Sequence, residues 1–197
     1  MLFRSNLLDL THLSFLHAAT FGTPDFASAP YQLSLDEESG RFELVRTVSP
    51  TRLPLVWAEP LGLVGVDAVR RTTSAFLSPS AHLVTGHFFA LADADNPPDT
   101  RIRTAHLATP ETATATHYFI HHGRNFAIED DSVTAFMDKQ LSAAFLEDVN
   151  GLAEVERMVA ATPAEDIYEI SLASDRPGVA MRRWLQREVA RQQAARE

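Results

Sequence analysis

The stretch YQLSLDEESGRFELVRTV, residues 31–48, decides the fold. Apolar and polar side chains alternate over 31–36 and again over 41–48, the period of a strand with one face buried. Glu38, Ser39 and Gly40 stand between them as turn residues. The stretch predicts a β-hairpin. Toward the C-terminus the alternation returns over 66–76, 82–91 and 101–108. A threonine-rich, then aromatic, stretch at 112–122 follows the turn residues Thr109, Pro110 and Glu111. Asp93 to Thr100 is a longer loop. After Asp130–Asp131 the period changes from 2 to 3.6. This predicts a helix from about 132 to 148, capped by either Asp or by Ser132, and a second near 151–161. A short extended piece, Ile167–Leu172, precedes a final helix over about 177–195, with Pro177 suited to its first turn. Toward the N-terminus, 18–30 reads as a loop. Residues 6–17 read as a helix capped by Ser5 or Asn6, with leucines at 7, 8, 10, 13 and 16. Helix, many antiparallel strands, then helices is an α+β order: one curved antiparallel sheet packed against terminal helices, in a single domain over 1–197.

Composition narrows the chemistry. The chain has 197 residues, 45% hydrophobic and 22% charged, an ordinary globular balance. With 17 Lys+Arg against 26 Asp+Glu the net charge is −9, which argues against a nucleic-acid partner. The basic residues near the C-terminus read as the solvated face of the final helix. The first residues superficially suggest a signal peptide, but Asn6, Asp9, Thr11, His12 and His17 interrupt its apolar core. No apolar run is long enough to span a membrane. The expectation is a cytoplasmic protein with no membrane partner. Cysteine is absent, so disulfides, thiolate nucleophiles and Cys-ligated iron–sulfur or zinc sites are excluded from this chain. Histidine, of which there are eight, and carboxylate remain as strong metal ligands.

Asp9 and His12 are three apart and share a helix face. His12 and His17 are five apart, offset by about 140° on a straight helix. To meet at one metal, His17 must lie at or beyond the helix end, or the helix must be distorted. The other reading is two satisfied histidines between helix and sheet. On the helix from 132, Val133, Met137, Leu141 and Ala144 lie within roughly 80° of arc, and Asp148 falls inside that arc. Glu147 sits about 100° away from it, better placed for solvent. Either Asp148 points along the apolar face, where a carboxylate needs a partner or a metal, or the helix has ended and Asp148 faces water. Two His and a carboxylate are the ligand set of a non-heme Fe(II) site with open positions; a zinc hydrolase site is the chemical alternative. Asp9 could fix an imidazole tautomer from behind.

These residues resemble a known family. NLLDLTHLSFLH, residues 6–17, is similar to the iron-site helix of Rieske non-heme iron oxygenases, in the vanillate O-demethylase and dicamba monooxygenase branch. TPETATATHYF, residues 109–119, with GRNF at 123–126, resembles a hairpin of the same branch, and FLED at 145–148 resembles its acidic pair. The resemblance implies that His12, His17 and Asp148 bind a mononuclear Fe(II). It implies that Asp9 bridges to a Rieske cluster and that Asn6 lies near the iron. His106 matches a pocket histidine that contacts the aromatic substrate, with pairing to a strand neighbour as its alternative role. His117 and His121 share one strand face with Phe119 and His122 takes the other, so the three histidines cannot line one site. Phe15, Phe119 and Trp184 are candidates for the pocket or, more simply, for the core.

The implied fold is the helix-grip type, with a deep apolar pocket under the helices. The implied activity is that of an aromatic-ring oxygenase or O-demethylase catalytic domain. It would use Fe(II) and O₂ on a small aromatic acid, with electrons from a Rieske ferredoxin-type centre on another chain and an NAD(P)H-dependent reductase. The departures are the missing Cys/His cluster motif, Ser5 where the family has Asp, and a preceding strand reduced to Leu2–Arg4. The chain reads as the catalytic half alone, with no iron–sulfur cluster of its own. A homotrimer, usual in the family, stands beside monomer and dimer. The alternative function is a catalytically silent ligand-binding or interaction module of the same fold.

Overall fold

Alternation along the chain becomes pairing between neighbours. The computed structural model describes residues 6–36, 38–112, 115–168 and 170–195. Ser5 and the Leu2–Arg4 segment lie outside the described residues. In order come a 3₁₀ turn (Leu10–His12), α1 (Leu13–Leu16), β1 (Tyr31–Asp36), β2 (Arg41–Arg52), α2 (Leu55–Leu61), β3 (Asp67–Ser78), β4 (Ala81–Ala90), β5 (Arg101–Pro110), β6 (Thr116–Arg124), α3 (Asp131–Ala161) and α4 (Arg176–Ala194). The six strands form one open antiparallel sheet in sequence order. The fold is α+β with helices on one side of the sheet, as expected.

The register places one set of side chains on the covered face. Across it run the rows Phe42–Phe76–His82–His106–Ile120 and Leu44–Ser74–Val84–Thr104–His122. The next row is Arg46–Thr72–Gly86–Ile102–Arg124, followed by Val48–Arg70–Phe88. On β6 the expected split holds: His117, Phe119 and His121 face out and His122 faces in. At the 31–48 turn, Asp36 Oδ1 accepts the backbone N–H groups of Glu38 and Ser39. Gly40 has φ +70°, and a Cβ there would sit 2.2 Å from the Trp184 ring. Both the turn and the packing of α4 therefore need glycine.

Three apolar clusters hold the helices down. Leu53, Val56, Trp57, Phe88, Ile102, Met137 and Leu141 join α2 and the first half of α3 to the sheet. Leu8, Phe42, Phe76 and Met181 seat α4, with Trp184 packed against them. Leu10, Leu13, Phe26, Leu44 and Val48 seat the N-terminal segment. Among the described residues no helix is long and apolar enough to cross a membrane. The basic residues of α4 do lie outward: Arg183, Arg187 and Arg191 are exposed.

Several expectations need correcting. The two helical stretches at 132–148 and 151–161 are one helix, α3. Gly151 lies inside it, packed closely on Leu16, which stands 3.2 Å from where a Cβ would sit. Asp130 is the cap, accepting from the N–H groups of Ser132 and Val133. α2 has no counterpart in the periodicity reading: it is seven residues long, contains Pro60, and ends at Gly62 with φ +68°. Ile167–Leu172 forms no strand among its described residues. Phe15 is 76% and Phe119 55% exposed, so neither lines the pocket nor packs in the core. Trp184 is a core residue, edge-on to Phe42 and Phe76.

Candidate metal centre

The N-terminal segment is a succession of interrupted turns. Asp9 leaves helical geometry (φ −98°, ψ 87°), and its carboxylate caps the N–H of Thr11 at 2.8 Å. The tighter 3₁₀ turn then carries His12. α1 lasts four residues, and His17 sits at its C-terminal cap. Both conditions set by the 140° offset are met: the helix is distorted and the second histidine lies at its end. The chain then curls back, with the N–H groups of Thr20 and Gly22 donating to the His17 carbonyl at 3.0 and 2.8 Å. A Cβ on Gly22 would come 1.9 Å from the Leu13 carbonyl oxygen, so only glycine closes this loop. Ser74 Oγ donates to the Leu7 carbonyl at 2.7 Å, pinning the segment to β3.

α3 brings the carboxylate. Met137, Leu141, Ala144 and Asp148 are its buried residues, the stripe that the angular count predicts. The helix runs well past 148, so Asp148 is not at a solvent-facing end. His12, His17 and Asp148 each offer a ligand atom, all within 4.8 Å of one another. Asp148 Oδ1 lies 3.2 Å from His17 Nε2 and 3.6 Å from His12 Nε2. Ligands bound to one ion at about 2.1 Å stand roughly 3–4 Å apart, and the two separations from Asp148 lie in that range.

The remaining atoms of the site are already committed. His12 Nδ1 donates to the Asp9 backbone carbonyl. His17 Nδ1 donates to Glu147 Oε2 at 2.8 Å, which also accepts from Thr20 Oγ1 at 2.7 Å. Asn6 Nδ2 donates to Asp148 Oδ1 at 2.9 Å. Both imidazoles therefore present a bare Nε2 toward the carboxylate. His17 Nε2 is fully buried and has no hydrogen-bond partner. A lone pair facing a carboxylate oxygen at this distance is repulsive unless a positive charge stands between them. Burial pulls His17 down, but the attraction of Asp148 and then Glu147 outweighs it, and the net shift is upward. Burial pushes Asp148 up, but His17 beside it wins and holds it below the usual carboxylate range. Burial lowers His12 against the pull of Asp9 and Asp148. A proton on His17 relieves the arrangement; a divalent cation on the two Nε2 atoms and the carboxylate does so more completely. The donor set fits a metal of the Fe(II) class.

The centre opens into an apolar cavity of about 80 Å³, walled by residues that include Leu13, Phe21, Trp57, Phe88, Ile102 and Phe145. His106 lines the same cavity. Its Nδ1 pairs with the Tyr118 hydroxyl, and its ring stands edge-on to Phe145 at 5.8 Å. Burial lowers it to about 4, so it is neutral at pH 7. A Cβ at Gly86 would fall 2.4 Å from the Phe88 ring, so this glycine lets the aromatic wall close.

The structure thus brings together His12, His17, Asp148, Asn6 and His106. Asp9 is different: its carboxylate caps the turn, and it lines an outer depression beside α3 and α4 rather than the cavity. Its backbone carbonyl, not its side chain, orients His12. Glu147 also differs from expectation, because it orients His17 instead of facing solvent.

Comparison with known proteins gives the family. Residues 2–191 match the family model for the vanillate O-demethylase oxygenase C-terminal domain. The vanillate O-demethylase oxygenase subunit of Pseudomonas sp. (strain ATCC 19151) is 29% identical over 198 residues, covering 96% of this chain and 59% of the relative. The oxygenase component of chloroacetanilide N-alkylformylase from Rhizorhabdus wittichii (strain DC-6 / KACC 16600) is 29% identical over 187 residues, covering 93% and 52%. The chain spans between 52% and 59% of the length of the relatives it matches. Dicamba monooxygenase bound to 3,6-dichlorosalicylic acid superposes with a TM-score of 0.84 at 23% identity, over 94% of this chain and 54% of that one, a likeness of fold. A match running through nearly every element described above places this chain in the vanillate O-demethylase oxygenase C-terminal domain family.

Proposed function

We propose that residues 1–197 form the mononuclear-iron catalytic domain of an aromatic-ring oxygenase or O-demethylase. His12, His17 and Asp148 would hold Fe(II), and the substrate would be a small aromatic acid. Electrons would come from a Rieske centre, fed by an NAD(P)H-dependent reductase. One observation carries this reading: two imidazole Nε2 atoms and a buried carboxylate meet at the wall of an apolar, aromatic-lined cavity. The names of the relatives support the oxygenase class. Iron in such a site supplies O₂ activation, driven by electrons delivered from outside.

The protein's own residues do the rest. Asp9 and Glu147 fix the two imidazole tautomers, so no ring must turn when the ion binds. Asn6 holds Asp148 Oδ1 and limits the carboxylate's rotation. The leucine and aromatic walls exclude water from the substrate carbon. His106, locked by Tyr118, offers the cavity its other ring nitrogen for a polar substituent. Asp9 faces outward while its carbonyl touches His12, which makes it the point where an electron donor would dock. For an aryl methyl ether the balance is one O₂, two electrons and two protons in; phenol, formaldehyde and water come out.

The test loads the purified chain with Fe(II), adds a Rieske protein, reductase and NAD(P)H, and follows O₂ uptake and formaldehyde release with a panel of aromatic acids. Substrate-dependent uptake, lost in His12→Ala, supports the reading. Stoichiometric iron without uptake from any Rieske donor counts against oxygenase activity. A metal-free but ligand-binding protein would point to a silent binding module.

A further inference from the structure

Among the described residues Arg70 is a buried cation with no ion pair. Its side chain is 1% exposed, and it lies on the covered face of β3 in the wall of the metal-site cavity. Its guanidinium lies 4.0 Å from the Phe26 ring centroid and 4.6 Å from that of Trp57. Nη1 donates to the Phe21 carbonyl at 3.0 Å. Nε is buried without a hydrogen-bond partner. Asp25 attracts it electrostatically but forms no ion pair with it among the described residues, and accepts from Thr51 Oγ1 at 2.7 Å. Burial lowers the guanidinium only to about 9, so it is charged at neutral pH.

A buried charge of this kind is costly unless paired. Ring faces and one carbonyl compensate part of the cost. Arg46 shows what a purely structural version looks like. It is as buried, donates to the Phe26 carbonyl at 2.9 Å and lies over Phe26 and Tyr31, yet it does not line the cavity. Arg70 has the same supports and, in addition, an open cavity in front of it. The cavity's other polar end is the His12–His17–Asp148 centre. Phe21 links the two: its carbonyl holds Arg70 while its ring packs on His17 at 4.3 Å. An aromatic ring between them would place an anionic substituent at the guanidinium and another substituent at the metal end.

We infer that Arg70 is the residue that fixes the anionic group, carboxylate or sulfonate, of the substrate. This rests on the proposed function for what the ligand is, and its test needs no turnover. Titrate the full chain, without reductase or Rieske protein, with 3-methoxybenzoate and with 3-methoxybenzamide. A charge-assisted pair in a dry site favours the acid by about 10–100-fold. Arg70→Gln and Arg70→Met should bind acid and amide alike, and Arg70→Lys should keep part of the preference. Arg46→Met is the control for lost packing and should leave the acid-to-amide ratio unchanged. Equal binding of acid and amide by the unaltered protein, which requires no variant to fold, overturns the inference. So does absence of binding, or a preference that survives Arg70→Gln. If the acid preference depends on Arg70 but no oxygenation occurs, the proposed function fails and this inference stands.

Discussion

Two regions carry the candidate ligands, and they could hardly differ more. Residues 6–22 form short turns, each ended by a side-chain or carbonyl bond, and deliver two histidines. α3 is 31 residues of regular helix and delivers one carboxylate. In α3 the backbone satisfies itself, so position follows from the 3.6-residue period alone. In the N-terminal segment the backbone cannot, and each break is filled by a named partner: Asp9 for Thr11, Ser74 for Leu7, and the His17 carbonyl for Gly22. The irregular region gains directions that a helix lacks, while the regular one supplies a fixed surface to aim at. Within α3 the contrast recurs, because its buried side chains all lie at or before Asp148, and Val155, Met158 and Val159 are exposed.

The largest test removes the meeting point. His17→Ala and Asp148→Ala should each abolish stoichiometric iron, measured by metal analysis after gel filtration; retention of a full equivalent would break the assignment of both regions. Next is packing. Leu141→Ala on the buried stripe should cost about 2–5 kcal/mol in urea unfolding, while Met158→Ala on the exposed half should stay within about 0.5 kcal/mol. Equal costs would erase the difference between the halves of α3. Glu147→Gln should weaken metal affinity by about 10–100-fold, read by competition with a chelator, with Glu154→Gln as an inert control.

A pH series sharpens the contrast from the sheet side. Burial lowers His82 to about 3, and His106 and His122 to about 4. Folded values below the unfolded one mean that stability is full above about pH 6.5 and falls as acid protonates the unfolded chain first. Each histidine should cost roughly 1 kcal/mol between pH 7 and 5.5. His82→Gln, which can still donate to Ser74, should remove its share of that slope. Asp130→Ala, at the start of α3, should cost about 1 kcal/mol in urea unfolding.

The strands were legible because the covered face alternates over long runs. Asp148 was legible because helical angles are additive. His12 and His17 could be named as ligands only through resemblance, since the loop that swings His17 round depends on Gly22 and on bonds to β3 and α3. Glu147 and Arg70 escaped for a related reason. Their roles are set by what arrives from elsewhere: the His17 loop in one case, the Phe21 carbonyl and two rings in the other. α2 escaped because seven residues with an internal proline carry too little period to read.

An ion held by positions 12, 17 and 148 would act on the chain as a cross-link does. It would tie residue 17 to residue 148, closing a loop of 148 − 17 = 131 residues that contains the whole sheet. Polymer theory makes the entropy cost of such a closure large but only weakly dependent on length. A site joined this way cannot pre-exist in an unfolded chain, so metal affinity and folding free energy become one linked quantity. Loading should therefore raise the thermal midpoint of the entire domain, and the ion's release should report the moment when the two ends of the sheet part.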